Sequence, residues 1–310
     1  MDKELVSVII PVTERFDDIN ELFQDYKRGL AQIANPVEFI YVLDGDFPDV
    51  FSELKKLQGN NENIKIVKLA KCFGEAISLT AGVETANGSL ILSLPAYYQV
   101  KSDNLASLFE HLEQYDMVVC RRWPRADTWF SRMQTNMFHS VLKLIDDCSF
   151  RDLGCSVRLF KKKILDEINI YGDQHRFFPV LAVRQGFKVF EADIPQSEKE
   201  KRTRIYGPGV YLRRLIDLLS IFFLVKFTKK PLRFFGLIGS ATFILGGLIL
   251  LFLAVERLFY GIPLSDRPLL LLGALLFVLG IQVFATGLIG ELIIFTHAKE
   301  LKEYTIEEIV

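Results

Sequence analysis

Excess charge of either sign is missing from this 310-residue sequence, in which 37 Lys and Arg stand against 38 Asp and Glu for a formal net charge of −1. Nucleic-acid binders neutralise many phosphates with a basic face, so a broad footprint of that kind is excluded, though a local basic patch is not. Cysteine is scarce as well. Cys72, Cys120, Cys148 and Cys155 form neither a CxxC pair nor a Cys/His metal spacing. So few in so long a chain argue against a disulfide framework and for buried or half-buried thiols in a reducing compartment. The start, Met1-Asp2-Lys3-Glu4, lacks the basic stretch and apolar run of a secretory leader, so the soluble part is expected on the cytoplasmic side. Repeats and low-complexity tracts are also missing.

What is present is unevenly spread. Long apolar runs fall after Leu215, while the first two-thirds alternate apolar and charged segments. Residues 234–255 carry no charge, and residues 269–295 carry only Gln282 and Glu291 as strongly polar groups. About twenty apolar residues cross a hydrocarbon core of ~30 Å, so two such runs with a short connection predict a transmembrane hairpin. Lys226, Lys229, Lys230 and Arg233 precede the first run, and Lys299 and Lys302 follow the second. In the connection Arg257 and Arg267 are offset by Glu256 and Asp266. The positive-inside bias then places both flanks in the cytoplasm, in a multi-pass inner-membrane protein. Glu291 is expected as a solvated carboxylate at the boundary rather than an intramembrane acid. Leu212, Leu215, Leu218, Ile221 and Leu224 among Arg213, Arg214 and Asp217 suit an amphipathic helix in the interface. The expected organisation is a soluble domain over 1–205, this juxtamembrane helix over 206–232, the hairpin over 233–296 and a cytoplasmic tail over 297–310. Two spans alone line a channel poorly unless the protein self-associates, and homo-oligomerisation is left open.

In the soluble part, β-branched apolar runs alternate with helical-period stretches. Residues 5–11, 37–43, 64–69 and 89–94 read as strands, and 17–33, 49–57 and 75–85 as helices. Such alternation predicts an α/β, doubly wound, mostly parallel sheet, whose ligands sit beyond the C-terminal ends of the strands. Residues 11–15, 44–49, 71–74 and 95–99 are therefore the segments that matter.

Several motifs sit at or near those places. SVIIPVTER opens the chain, VLDGDFPD follows the second strand, and LAKCFGEAISLTAGVETANGSLILSL leads through a helix to the fourth. RDLGCSVRLFKK and HRFFPVLAVRQGF come later. Taken in order, and followed by an amphipathic stretch and a hairpin, they resemble family-2 glycosyltransferases of GT-A fold. Within that family the likeness is to the polyprenyl-phosphate sugar transferases, including undecaprenyl-phosphate sugar transferases and dolichol-phosphate mannose synthases, and it covers nearly the whole chain.

The resemblance implies transfer of a sugar from a nucleotide-diphosphate sugar to a polyprenyl phosphate, with a membrane lipid as partner. It implies donor-side roles for Pro11, Glu14, Asp44, Gln99 and Arg122. Asp152 and Arg158 match the acceptor-side catalytic segment, and His175, Arg176, Arg202, Arg204 and Tyr206 match phosphate-binding segments. Each has a plainer reading too: Asp44 as a turn residue, Asp152 as a cap, His175 as a helix-start residue, and Lys199 to Arg204 as a solvated charge run.

The sequence departs from the family at the metal. The family's Asp-Ala-Asp-x-Gln, which holds Mg²⁺ or Mn²⁺, reads Pro95-Ala96-Tyr97-Tyr98-Gln99, and of the usual ligands only Gln99 remains. Three readings stay open: a metal-independent enzyme that neutralises diphosphate with Arg and Lys, a site rebuilt on Asp46 or Asp103, or a non-catalytic scaffold or regulatory subunit.

Overall fold

The computed structural model describes residues 4–124, 150–168, 172–200, 231–263 and 267–297. The chain divides into two compact units, the first mainly Met1–Asp217 and the second Leu218–Lys302.

In the first unit, strand β1 (Val6–Val12) is buried along its whole length, as expected of a strand covered on both faces. Helix α1 (Ile19–Leu30) starts where the Asp18 carboxylate accepts from the Glu21 amide at 2.8 Å, and it buries Ile19, Leu22, Phe23, Tyr26 and Leu30. Then come β2 (Val37–Leu43), α2 (Pro48–Gly59), β3 (Ile64–Lys68), α3 (Glu75–Thr85) and β4 (Leu90–Ser93). A 3₁₀ helix, Ser102–His111, leads to β5 (Met117–Arg122), and after residue 149 follow β6 (Arg158–Lys161), α4 (Lys163–Glu167), α5 (Phe178–Arg184) and β7 (Val189–Ile194).

These strands form one sheet in the order β3-β2-β1-β4-β6-β5-β7. Pairing is parallel except at β6, which runs against both β4 and β5. The expected parallel sheet is thus present with one reversed strand, inside a segment that the alternating pattern did not resolve into elements. One core lies on the α1–α2 side of the sheet, around Phe23, Tyr26, Tyr41 and Leu54. The other lies on the α3–α5 side, around Ile9, Leu79, Phe160 and Phe178.

The second unit holds α6 (Pro231–Tyr260) and α7 (Pro268–His297), each 30 residues. At 1.5 Å per residue each is about 45 Å long, enough to cross a membrane. Their outer faces leave Leu237, Leu251, Leu258, Leu271 and Leu292 exposed, a surface that water does not tolerate at this extent. Helix α6 outruns the uncharged stretch because nothing interrupts it before Gly261, whose φ of +65° suits a helix end. Where the helices touch, a Cβ on Gly246 would fall 2.4 Å from the Phe277 amide nitrogen, and one on Gly280 2.4 Å from that of Phe243. The backbones therefore meet directly, as in membrane helix pairs. Glu291, expected as a solvated carboxylate, is half-buried and accepts from the Leu232 amide at 3.4 Å, in the first turn of α6. Of the expected juxtamembrane helix only Pro231 and Leu232 are described, and they open α6; the tail beyond His297 lies outside the described residues.

Candidate functional site

Strand β1 lies between β2 and β4, so the connections out of β1 and into β4 leave in opposite directions. Their C-terminal ends part at this switch point, which is where open α/β sheets receive ligands. Four loops surround it.

After β2, the Asp44 carboxylate accepts from the amides of Phe73 at 2.7 Å and Gly74 at 2.9 Å, and from the Cys72 thiol at 3.3 Å. Gly74, at φ +100°, turns the chain into α3 there, a conformation glycine adopts without strain. Asp44 thus ties the end of β2 to the start of α3. Its hydrogen bond also raises the Cys72 thiol above its ordinary value.

After β4, Tyr26 Oη donates to the carbonyls of Pro95 at 2.9 Å and Tyr97 at 3.3 Å. Asp17 donates its amide to Ala96 O at 2.9 Å and accepts from the Tyr98 amide at 3.0 Å. Gln99 is buried. It accepts from the Ser156 amide at 2.9 Å and donates to Gly154 O and Tyr97 Oη, each at 3.3 Å. The segment is therefore fixed on both sides, and it holds the Tyr97 ring beneath Arg15, whose Cζ lies 3.7 Å from the ring centroid. Burial first and Glu75 second push the Tyr97 hydroxyl up to about 12, against the pull of Arg15 and Arg122, so it stays protonated at neutral pH.

Glu75, the first residue of α3, gathers the next group. Its carboxylate lies 3.1 Å from His175 Nε2 and accepts from Ser156 Oγ at 3.3 Å. Arg158 is buried and donates to the carbonyl oxygens of His175, Cys155 and Arg176. Burial brings Arg158 down to about 10, with Glu75 resisting. Burial would raise Glu75, but His175, Arg158 and Arg176 prevail and hold it at about 2. Nδ1 of His175 is buried with no hydrogen-bond partner among the described residues.

At the end of β5, Arg122 and Asp152 form a buried two-pronged ion pair, with Nε–Oδ2 at 2.7 Å and Nη2–Oδ1 at 2.9 Å. The Arg122 amide donates to the same carboxylate at 3.2 Å. Glu200 lies 3.5 Å from Arg122 Nη1, accepts from Gln196 Nε2 at 2.6 Å and stands 3.9 Å from Arg15.

The residues present do not fit a divalent cation where the family holds one. Pro95 offers a carbonyl already engaged by Tyr26, Tyr97 a protonated phenol, and Gln99 an amide oxygen bonded to Ser156. Asp46 is exposed and paired to Lys68 at 2.9 Å, and Asp103 is exposed in the first turn of the 3₁₀ helix. Among the described residues no three of His, Cys, Asp and Glu stand close enough together to hold an ion.

Of the residues singled out from sequence, Arg158, His175 and Arg176 gather at Glu75, and Arg122 pairs with Asp152. Asp44 and Gln99 hold loops. Glu14 is exposed, and Pro11 is buried in β1 opposite Val42. Arg202, Arg204 and Tyr206 lie outside the described residues. Sequence reasoning missed Arg15, Glu75 and Glu200. The first two were within reach, since Arg15 closes the loop after β1 and Glu75 directly follows the Lys71–Gly74 segment. Glu200, within a charge run, carried no signal.

The seven-stranded, mostly parallel sheet with one reversed strand is that of a GT-A fold. The chain belongs to glycosyl transferase family 2, whose sequence profile matches residues 7–169. It is 26% identical over 301 residues to the dodecaprenyl-phosphate galacturonate synthase of Rhizobium johnstonii, covering 95% of this chain and 89% of that protein. It is 28% identical over 311 residues to the undecaprenyl-phosphate 4-deoxy-4-formamido-L-arabinose transferase of Proteus mirabilis, covering 98% and 94%. In fold it resembles the crystal structure of mannosyl-3-phosphoglycerate synthase from Rubrobacter xylanophilus, with a TM-score of 0.52 at 12% identity over 69% of this chain and 70% of that one. With its two long apolar helices, the chain is a membrane protein.

Two outcomes follow from the paired charges. Among the described residues, Asp152→Ala leaves the buried Arg122 guanidinium with only the longer Glu200 contact and is expected to destabilise the protein by about 3 kcal/mol, whereas the double change Arg122→Met with Asp152→Leu recovers part of the loss; thermal unfolding in detergent checks both. Glu75 titrates near 2 when folded against an ordinary 4.5, so its stabilisation is complete above pH 4.5 and lost as pH falls toward 2. Glu75→Gln should lower stability at neutral pH and flatten the acid limb of the stability profile. An unchanged limb would contradict the pairing with His175.

Proposed function

We propose that the protein transfers a sugar from a nucleotide-diphosphate sugar to a polyprenyl phosphate at the cytoplasmic face of the membrane. The observation that carries this reading is the span of the likeness: two enzymes named for polyprenyl phosphates align with 95% and 98% of this chain, so the alignments take in the long helices as well as the α/β unit. Strand ends at a switch point suit a nucleotide, and a hydrophobic pair of helices suits a substrate whose chain stays in the bilayer.

In this reading the helices form a two-span hairpin with both flanks cytoplasmic. The Lys and Arg distribution supports that orientation, because Lys226, Lys229, Lys230, Arg233, Lys299 and Lys302 flank the pair while the connection carries only Arg257 and Arg267. The donor lies along the loops of Glu14, Asp44 and Tyr97. Asp152 positions Arg122, and Arg158 positions the His175–Arg176 segment, which meets the acceptor phosphate along with Arg202, Arg204 and Tyr206. That phosphate is already anionic, so it attacks the anomeric carbon without a strong base. The bond from that carbon to the diphosphate oxygen breaks as the new bond to the acceptor oxygen forms.

The test is turnover by the purified full chain, given polyprenyl phosphate and a panel of labelled nucleotide sugars, with Mg²⁺, with Mn²⁺ and with chelator. Labelled sugar is expected in the organic phase with at least one donor. No transfer from any donor in any condition would favour the scaffold or regulatory alternative.

A further inference from the structure

Arg15 and Tyr97 face each other across the switch point. Strands β1 and β4 pair in parallel from Val6↔Leu90 to Ile9↔Ser93, and the loops that leave them bring the guanidinium over the ring, with Cζ 3.7 Å from its centroid. Stacking of this kind fixes the plane of an arginine without occupying its N–H groups. Those groups are largely unspent. Among the described residues the nearest carboxylate oxygen, on Glu200, is 3.9 Å away and beyond hydrogen-bonding distance, and the Arg15 guanidinium makes no hydrogen bond to any of them. Glu200 is held more closely by Gln196 at 2.6 Å and Arg122 at 3.5 Å. Arg122 and Arg158, by contrast, are committed to Asp152 and to three carbonyls. One third of the Arg15 side chain remains open to solvent.

The ring beneath it belongs to Tyr97, the residue that stands where the family carries the second acid of its metal motif. A carboxylate there would attract a dication; a ring attracts a guanidinium. The planar fork of arginine bonds two phosphate oxygens at once, which makes it a fitting substitute for a cation that bridges a diphosphate. We propose that Arg15, seated on Tyr97, takes the place of the divalent cation and neutralises the donor's diphosphate, so that this chain binds nucleoside diphosphates without metal. The inference rests on the nucleotide-sugar reading above and specifies how that site balances charge.

The test is calorimetric titration of the full chain in detergent, stripped of metal and held in EDTA, with UDP, GDP, CDP and dTDP and the corresponding nucleosides, repeated with Mn²⁺. At least one diphosphate is expected to bind in EDTA, with a Kd changed less than about threefold by Mn²⁺. Arg15→Gln should weaken that diphosphate roughly 10- to 100-fold, the loss expected for one charge-assisted contact, while leaving nucleoside binding unchanged. If Arg15→Gln fails to fold, Arg15→Lys decides, with a loss of about fivefold supporting the proposal and unaltered binding overturning it. Binding only with metal, or diphosphate affinity indifferent to Arg15, would overturn the arginine role and leave the donor class standing. No diphosphate binding in either condition would overturn both.

Discussion

Buried charge must be met by a fixed partner, and this requirement governs the loops at the switch point. The elements around it are built to hold cations in fixed places. Gln99 and Asp17 pin the loop after β4, Tyr26 braces it from α1, and Tyr97 is thereby presented as a level surface to Arg15. Farther along the sheet, Asp152 and Glu200 keep Arg122 in place, and Glu75 faces His175 at the head of α3. Each ion pair costs desolvation that only good geometry offsets, and the two-pronged contact of Arg122 supplies such geometry.

Much of this architecture was legible in the sequence. Buried runs such as VSVIIPV and VEFIYVL announce a parallel sheet because they are covered on both faces, and the spacing of Ile19, Leu22, Phe23, Tyr26 and Leu30 writes out one face of a helix. The apolar helices were visible for the same reason: a bilayer demands length and lack of charge, and both are local properties. Strand β6 was not resolved, since four residues within a charged segment show no period of their own. Its direction is set by its neighbours β4 and β5.

The site was legible by position and not by role. Asp44, Gln99, Arg122 and Asp152 stood out because they match motif segments, yet the pairings of Asp44 with Phe73, Arg122 with Asp152 and Gln99 with Ser156 span 29, 30 and 57 positions, and no local pattern encodes them. Arg15 illustrates the converse. Its place in the loop after β1 marks it as near the strand ends, but its meaning comes from Tyr97, 82 positions later, which sequence comparison could register only as a missing acid.

The substitution of a stacked guanidinium for a metal is the claim on which this account of the cleft turns. Its most direct measurement is the structure of the full chain with a bound nucleoside diphosphate and excess Mn²⁺, with anomalous scattering recorded at the manganese edge. The account predicts the diphosphate beside Arg15 with no manganese peak at its oxygens. A manganese peak bridging those oxygens, with Arg15 turned away, would contradict it.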